Sequence, residues 1–225
     1  MASLARSVAL AAQVSLLLGC NVEPTAHDEC HATLAAELGC PAAALVVTSD
    51  FNSTQVALTK LDGQTLCSSY FSTARGETSP IAFAISGDIS LPSTRPPSGR
   101  AVIIDRFGTN VLSVLEPASG RILGQLPVGT GFESNPQDYL ELDERLALVS
   151  RWGENPVPGQ QDFDRGGDLL LIDTLALRIE GSIELPRDDD FPPRPAGLVR
   201  VGEQAVVTLQ RMSIDTRSMG DGLLV

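Results

Sequence analysis

The chain has 225 residues, enough for one sizeable domain or two small ones, and 43 % hydrophobic against 20 % charged residues places it with globular chains. Aromatic residues contribute only 4 %, so a core must be built from Val, Leu, Ile and Ala. With 28 acidic residues against 16 basic ones the formal net charge is −12, a field that repels phosphate backbones and anionic lipid surfaces and speaks against a nucleic-acid partner.

Residues 1–19 read as a secretion signal. Arg6 supplies a short positive start, and residues 7–18 (SVALAAQVSLLL) supply an apolar stretch. That stretch is too short for a membrane span, which needs about 20 apolar residues, and Gln13 and Ser15 interrupt it, so an export signal is the better reading. It ends in Leu17-Leu18-Gly19-Cys20. This sequence resembles the bacterial lipobox, in which a small residue precedes a cysteine that is lipidated and becomes the mature N-terminus. The resemblance implies a chain anchored in a membrane through acylated Cys20, where each buried CH₂ contributes about 0.8 kcal/mol. The alternative is an ordinary signal whose cleavage site precedes a cysteine. The lipobox reading places the exported, lipid-anchored protein in the bacterial cell envelope, facing the periplasm or the outer surface. Asn21 rather than Asp follows the cysteine, so the inner-membrane retention signal of enteric bacteria is missing.

Residues 20–44 read as a tether. If Cys20 is acylated, Cys30, Cys40 and Cys67 remain, and an oxidising compartment favours one disulfide among them. A Cys30–Cys40 bridge closes a loop around the helix-like stretch 32–38 (ATLAAEL), whereas Cys40–Cys67 staples the tether to the first strands. No paired C-x₂-C spacing accompanies Cys30 and His31, so a zinc site is not expected.

From residue 45 onward a pattern returns. An apolar strand recurs at 45–48 (LVVT), 101–104 (AVII), 146–149 (LALV) and 205–208 (AVVT). A turn and a second strand follow at 55–60, 110–115 and 168–172, and a third strand at 64–66 onward, 121–126 and 178–185. A fourth short strand is expected at 80–85, 135–142 and 195–201, ahead of the next copy. Four short strands repeating every 45–59 residues are the signature of propeller blades. Runs such as LLLID lack alternation, as expected where a sheet is covered on both faces. The predicted fold class is therefore all-β, with four-stranded β-propeller-type blades over 45–225, two complete and two incomplete.

The stretch NVLSVLEPASGRILGQLPVG (110–129), followed by NPQD and LALVSRWG, resembles the YVTN-type propeller repeat of lactonase-like proteins. The stretch GDLLLIDTLALRIEGSIELP (167–186) repeats its order. The resemblance covers about residues 45–225, lacks the Tyr-Val-Thr-Asn tetrapeptide, and leaves insertions at 86–100 and 153–167. It implies architecture rather than function, because such propellers include enzymes and plain binding scaffolds. Residues 222–225 (GLLV) match the start of GDLLLID, so the sequence reads as part of a longer propeller, with a dimer-completed arc as the other possibility.

Few residues suggest catalysis. Both histidines, His27 and His31, lie in the tether, and no nucleophile elbow, phosphate loop or dinucleotide fingerprint occurs. The segment DFDRGGD (162–168) has acids at the alternate spacing of a calcium loop, but also reads as a solvated loop; no metal and no cofactor is expected. The candidate binding residues follow the apolar strands, in SDFN (49–52), DRFG (105–108) and SRWG (150–153). There Phe51, Phe107 and the sole tryptophan, Trp152, occupy equivalent positions, as do Arg106 and Arg151. On one propeller face, with connectors 72–79, 127–134 and 186–194, they would hold a small anionic or sugar-like ligand by bidentate hydrogen bonds and stacking. The competing reading packs the aromatics between blades and pairs the arginines with nearby Asp. The expected function is a membrane-tethered envelope lipoprotein whose propeller is a scaffold for a ligand or an unknown envelope protein. The alternative is a lactonase-like or cofactor-dependent propeller enzyme with active groups partly in further blades.

Overall fold

The structure, a computed structural model, describes residues 43–72, 85–117, 122–188 and 190–225. Residues 1–42, with Cys20, Cys30, Cys40 and the helix-like stretch, lie outside the described residues, as does most of the strand expected at 80–85. Among the described residues there is no helix. The described residues form fourteen strands in four antiparallel sheets.

The first sheet contains β1 (Ala43–Ser49), β2 (Thr54–Lys60) and β3 (Thr65–Ser72). The second is β4 (Ile89–Ser90), β5 (Ala101–Asp105), β6 (Val111–Leu115) and β7 (Ile122–Pro127), in that order. The third runs β8 (Pro136–Glu141), β9 (Leu146–Glu154), β10 (Gly166–Asp173) and β11 (Arg178–Glu184). The fourth holds β12 (Pro195–Val201), β13 (Gln204–Leu209) and β14 (Leu223–Leu224). These are two four-stranded blades flanked by two three-stranded ones, the propeller-type arrangement read from the sequence.

The boundaries between repeats differ from the expected ones. The short strand that closes each sequence copy belongs to the sheet of the next copy: β8 pairs with β9 and β12 with β13. The reason lies in the connections. Two to four residues join β8 to β9 and β12 to β13, which forces hairpin pairing, whereas longer connectors separate each from the preceding sheet. In the second sheet the corresponding strand is β4, inside what the sequence presents as the insertion 86–100.

Packing explains the missing alternation. On β5, Ala101 and Ile103 enter one core while Val102 and Ile104 enter the next. On β10, Leu170 and Ile172 face the second sheet, and Leu169 faces the fourth. Three aliphatic cores thus lie between consecutive sheets, and each inner blade is covered on both faces. Repeat chemistry survives in detail: β7 and β11 both bulge after their first isoleucine, leaving Leu123 and Glu180 out of register. On the outer faces of the first and last sheets Val46, Val199 and Val201 are exposed.

Cys67 of β3 is buried in the core between the first two sheets. Tyr70 beside it donates its hydroxyl to the carbonyl of Pro117 at 2.9 Å, tying the two sheets together.

Candidate functional site

Strand direction fixes which loops share an end of the array. β1, β5, β9 and β13 run toward one end, and β2, β6, β10 and β14 return from it. The turns 50–53, 106–110, 155–165 and 210–222 therefore emerge together, joined by the connectors 128–135 and 185–194. All five sequence-predicted residues lie at this end.

The structure does not give them one role. Phe51 is 81 % exposed and Phe107 64 %, so both aromatic tips stand in solvent. The first turn is held by Asp50, whose Oδ1 accepts from the amides of Asn52 at 2.9 Å and Ser53 at 2.7 Å. These bonds, with the one to Ser53 foremost, keep the Asp50 carboxyl below its ordinary value. Phe51 sits there at φ 65°, a conformation that favours Gly or Asn. Behind Phe107, Arg106 donates through Nε and Nη2 to Asp88 Oδ1 and is neutralised.

Arg151 and Trp152 lie inside a strand rather than in a turn, because β9 continues to Glu154 where its counterpart β5 ends at Asp105. Arg151 is 0 % exposed. It forms a bidentate pair with Asp168, with Nε to Oδ1 at 2.8 Å and Nη2 to Oδ2 at 2.7 Å. Its remaining donors reach the Val128 carbonyl, Thr130 Oγ1 and the Phe163 carbonyl, and Phe132 lies 5.1 Å away across its face. Every guanidinium nitrogen is engaged, so Arg151 clamps the second blade to the third and offers nothing to a ligand. Trp152 donates Nε1–H to Gln210 Oε1 at 2.9 Å, and the Arg194 guanidinium stacks 4.0 Å from its ring centre.

The acidic segment 162–168 is split. Asp164 accepts from the amides of Gly159, Gln160 and Gln161 at 2.7–3.0 Å, bonds that lower its pKa from the ordinary value. Asp168 belongs to Arg151, and Asp162 is exposed. Their carboxylates hold loops in place and do not converge; among the described residues no three His, Cys, Asp or Glu side chains gather as metal ligands. Asp173 takes the amides of Leu175 and Ala176 at the opposite end.

Sequence reasoning missed two features. Asp138 of β8 is a buried carboxylate shared by three sheets, described further below. Arg194 is a nearly buried cation, 6 % exposed, in the 185–194 connector. A cleft of about 340 Å³ also opens on this end between the 106–110 and 128–135 loops, lined by Thr109, Asn110, Thr130, Phe132 and Glu133.

No protein-family model matches the chain, and no curated protein does. Among solved structures it is similar to a protein of unknown function from Bacteroides caccae, at 10 % identity and a TM-score of 0.45 over 80 % of this chain. The chain spans 56 % of that structure's length.

Proposed function

We propose that the protein is a membrane-tethered envelope lipoprotein with YVTN-like repeats, whose blades form a binding scaffold that works through the loop end carrying Phe51 and Phe107. The observation that carries this reading is the exposure of two aromatic tips at equivalent turns, 81 % and 64 %, over a framework in which Arg106 and Arg151 are already neutralised by Asp88 and Asp168. Exposed aromatic rings lose apolar hydration when a sugar or a protein surface covers them, and they order few torsions in doing so. The lipobox-like LLGC supports the tether. An oxidising compartment supports one disulfide among Cys30, Cys40 and Cys67.

Two outcomes are expected from the full-length chain produced in a bacterial host. The product carries an acyl mass on Cys20 and partitions with membranes, and Cys20→Ser leaves it in the soluble fraction. An unacylated product that stays soluble removes the tether.

The soluble Cys20→Ser form is retained on immobilised envelope polysaccharide, and adding Phe51→Ser with Phe107→Ser lowers retention at least about tenfold, a loss of about 1.4 kcal/mol. Because both rings are exposed, the unfolding free energy stays within about 0.5 kcal/mol. Unchanged retention in the double variant means that this end is not the working one.

A further inference from the structure

Most buried charges in the molecule are fully met. Arg151 and Asp168 bind each other, Asp138 takes three amides, and Glu141 takes the amide and hydroxyl of Ser98 with the hydroxyl of Tyr139. Arg194 is the exception. It is 6 % exposed, and its single hydrogen bond runs from Nη1 to the Trp152 carbonyl at 3.1 Å. Its Nε is buried without an acceptor, and it forms no ion pair among the described residues. Burial draws its pKa below the ordinary guanidinium value, against the weaker opposing pull of the Glu154 carboxylate, which is not within ion-pair distance.

A second guanidinium shares the defect. Arg211 also has a buried Nε without an acceptor, and its contact with Asp188 is a loose 3.5 Å through Nη2. The backbone sets the two side by side. Gln210 N donates to the Arg194 carbonyl and Arg211 N to the Pro193 carbonyl, both at 3.1 Å. Both arginines have φ 48°, the left-handed region that non-glycine residues adopt at a cost. Trp152 forms the wall, stacked on Arg194 and fixed through Gln210. A hairpin begins at Arg211, is closed by the Met212–Met219 bridge, and returns through Gly220, which lies against Phe191 and donates its amide to the Arg211 carbonyl.

We propose that Arg194 and Arg211 form a carboxylate-binding site at the junction of the third and fourth sheets, with Trp152 as its aromatic wall. The unpartnered Nε edge of Arg194 is the planar side of the guanidinium that receives a carboxylate side-on, through two parallel bonds. Arg211 Nε supplies a further donor to the same group. An organic acid and an acidic sugar carry the same group. This rests on the scaffold reading of the same end of the molecule and names its ligand chemistry.

Trp152 is the sole tryptophan of the chain, so its emission reports this site alone. The mature chain is titrated with acetate and with glucuronate at constant ionic strength set by sodium chloride, with glucose and inorganic phosphate as separate arms. Saturable emission changes are expected with glucuronate, and with acetate if the carboxylate alone suffices; glucose gives none. Arg194→Gln weakens the response at least tenfold, Arg211→Gln weakens it as well, and Arg165→Gln, at an exposed pair with Glu184, leaves it unchanged. If Arg194→Gln does not fold, the more exposed Arg211→Gln carries the comparison. No saturable change with either acid up to about 100 mM, well beyond a weak site's roughly 1 mM, overturns the proposal, as does saturation by phosphate alone. Loss of the Phe51 and Phe107 effect with an intact Trp152 response defeats only the aromatic-tip reading; the reverse defeats only this one.

Discussion

Arg151→Ala is expected to destabilise the protein by about 3–5 kcal/mol, the range for removing one partner of a buried ion pair and leaving the other charge behind. Domains have about 5–15 kcal/mol in total, so the variant should approach unfolding at ordinary temperature. The cause is geometric. Asp168 lies directly across the ladder from Arg151, and both side chains point into the core between the second and third sheets. Without Arg151, Asp168 has a buried carboxylate with no cation, and the Val128 carbonyl, Thr130 and the Phe163 carbonyl lose their common donor. Asp168→Ala should cost a similar amount. The combined Arg151→Met and Asp168→Leu replacement should cost much less than either single variant, because it removes both charges and refills the volume with apolar atoms. Urea unfolding of the four proteins at neutral pH makes the comparison. A loss below about 1 kcal/mol in Arg151→Ala, the worth of a surface pair, would falsify the clamp.

That residue also shows where the sequence stops being legible. The position of Arg151 after its strand equals that of Arg106, and both are followed by an aromatic. Repeat logic gives them one role, but a strand extended to Glu154 draws one pair into the ladder while its counterpart stays in a turn. Strand termination depends on the partner strand: β10 starts at Gly166 and reaches back to Glu154, whereas β6 starts at Val111 against Asp105. No local pattern in SRWG or DRFG contains that information. The aliphatic framework was legible because β-branched runs bounded by Gly, Pro and Asp read the same in every copy. The sheet boundaries were less so, since a repeat can be cut at any connector and only pairing decides which cut is real. The Arg194 site was hidden for a related reason. No local pattern marks an arginine between two prolines as buried, and it is the approach of β13 and the turn after it that buries Arg194.

Asp138→Ala should separate the sheets on their inner side, and this is the second large effect. Its Oδ1 accepts from the amides of Ser93 in the β4–β5 loop and of Tyr139 in β8, each at 2.8 Å, and Oδ2 from the amide of Leu198 in β12 at 2.7 Å. One carboxylate therefore satisfies backbone donors from three consecutive sheets. Backbone amides cannot be dispensed with by substitution, so truncation leaves all three without that acceptor at a site only 1 % exposed. At about 1–3 kcal/mol for each unsatisfied buried donor, the loss should be at least about 3 kcal/mol. Asp138→Asn keeps one acceptor oxygen but turns an NH₂ toward one of the amides, so it should fall between the wild type and Ala. Ser150 adds a separate link to the fourth sheet through its hydroxyl, which donates to the Ala196 carbonyl at 2.6 Å, so the fourth sheet should loosen rather than detach. Hydrogen exchange distinguishes this from general weakening. Protection in Asp138→Ala should fall first at Leu198 and along β12 and β13, while β5 and β6, held by the cores on both sides, retain more of theirs. Uniform loss across all four sheets would mean that Asp138 stabilises the third blade alone and does not tie its neighbours to it.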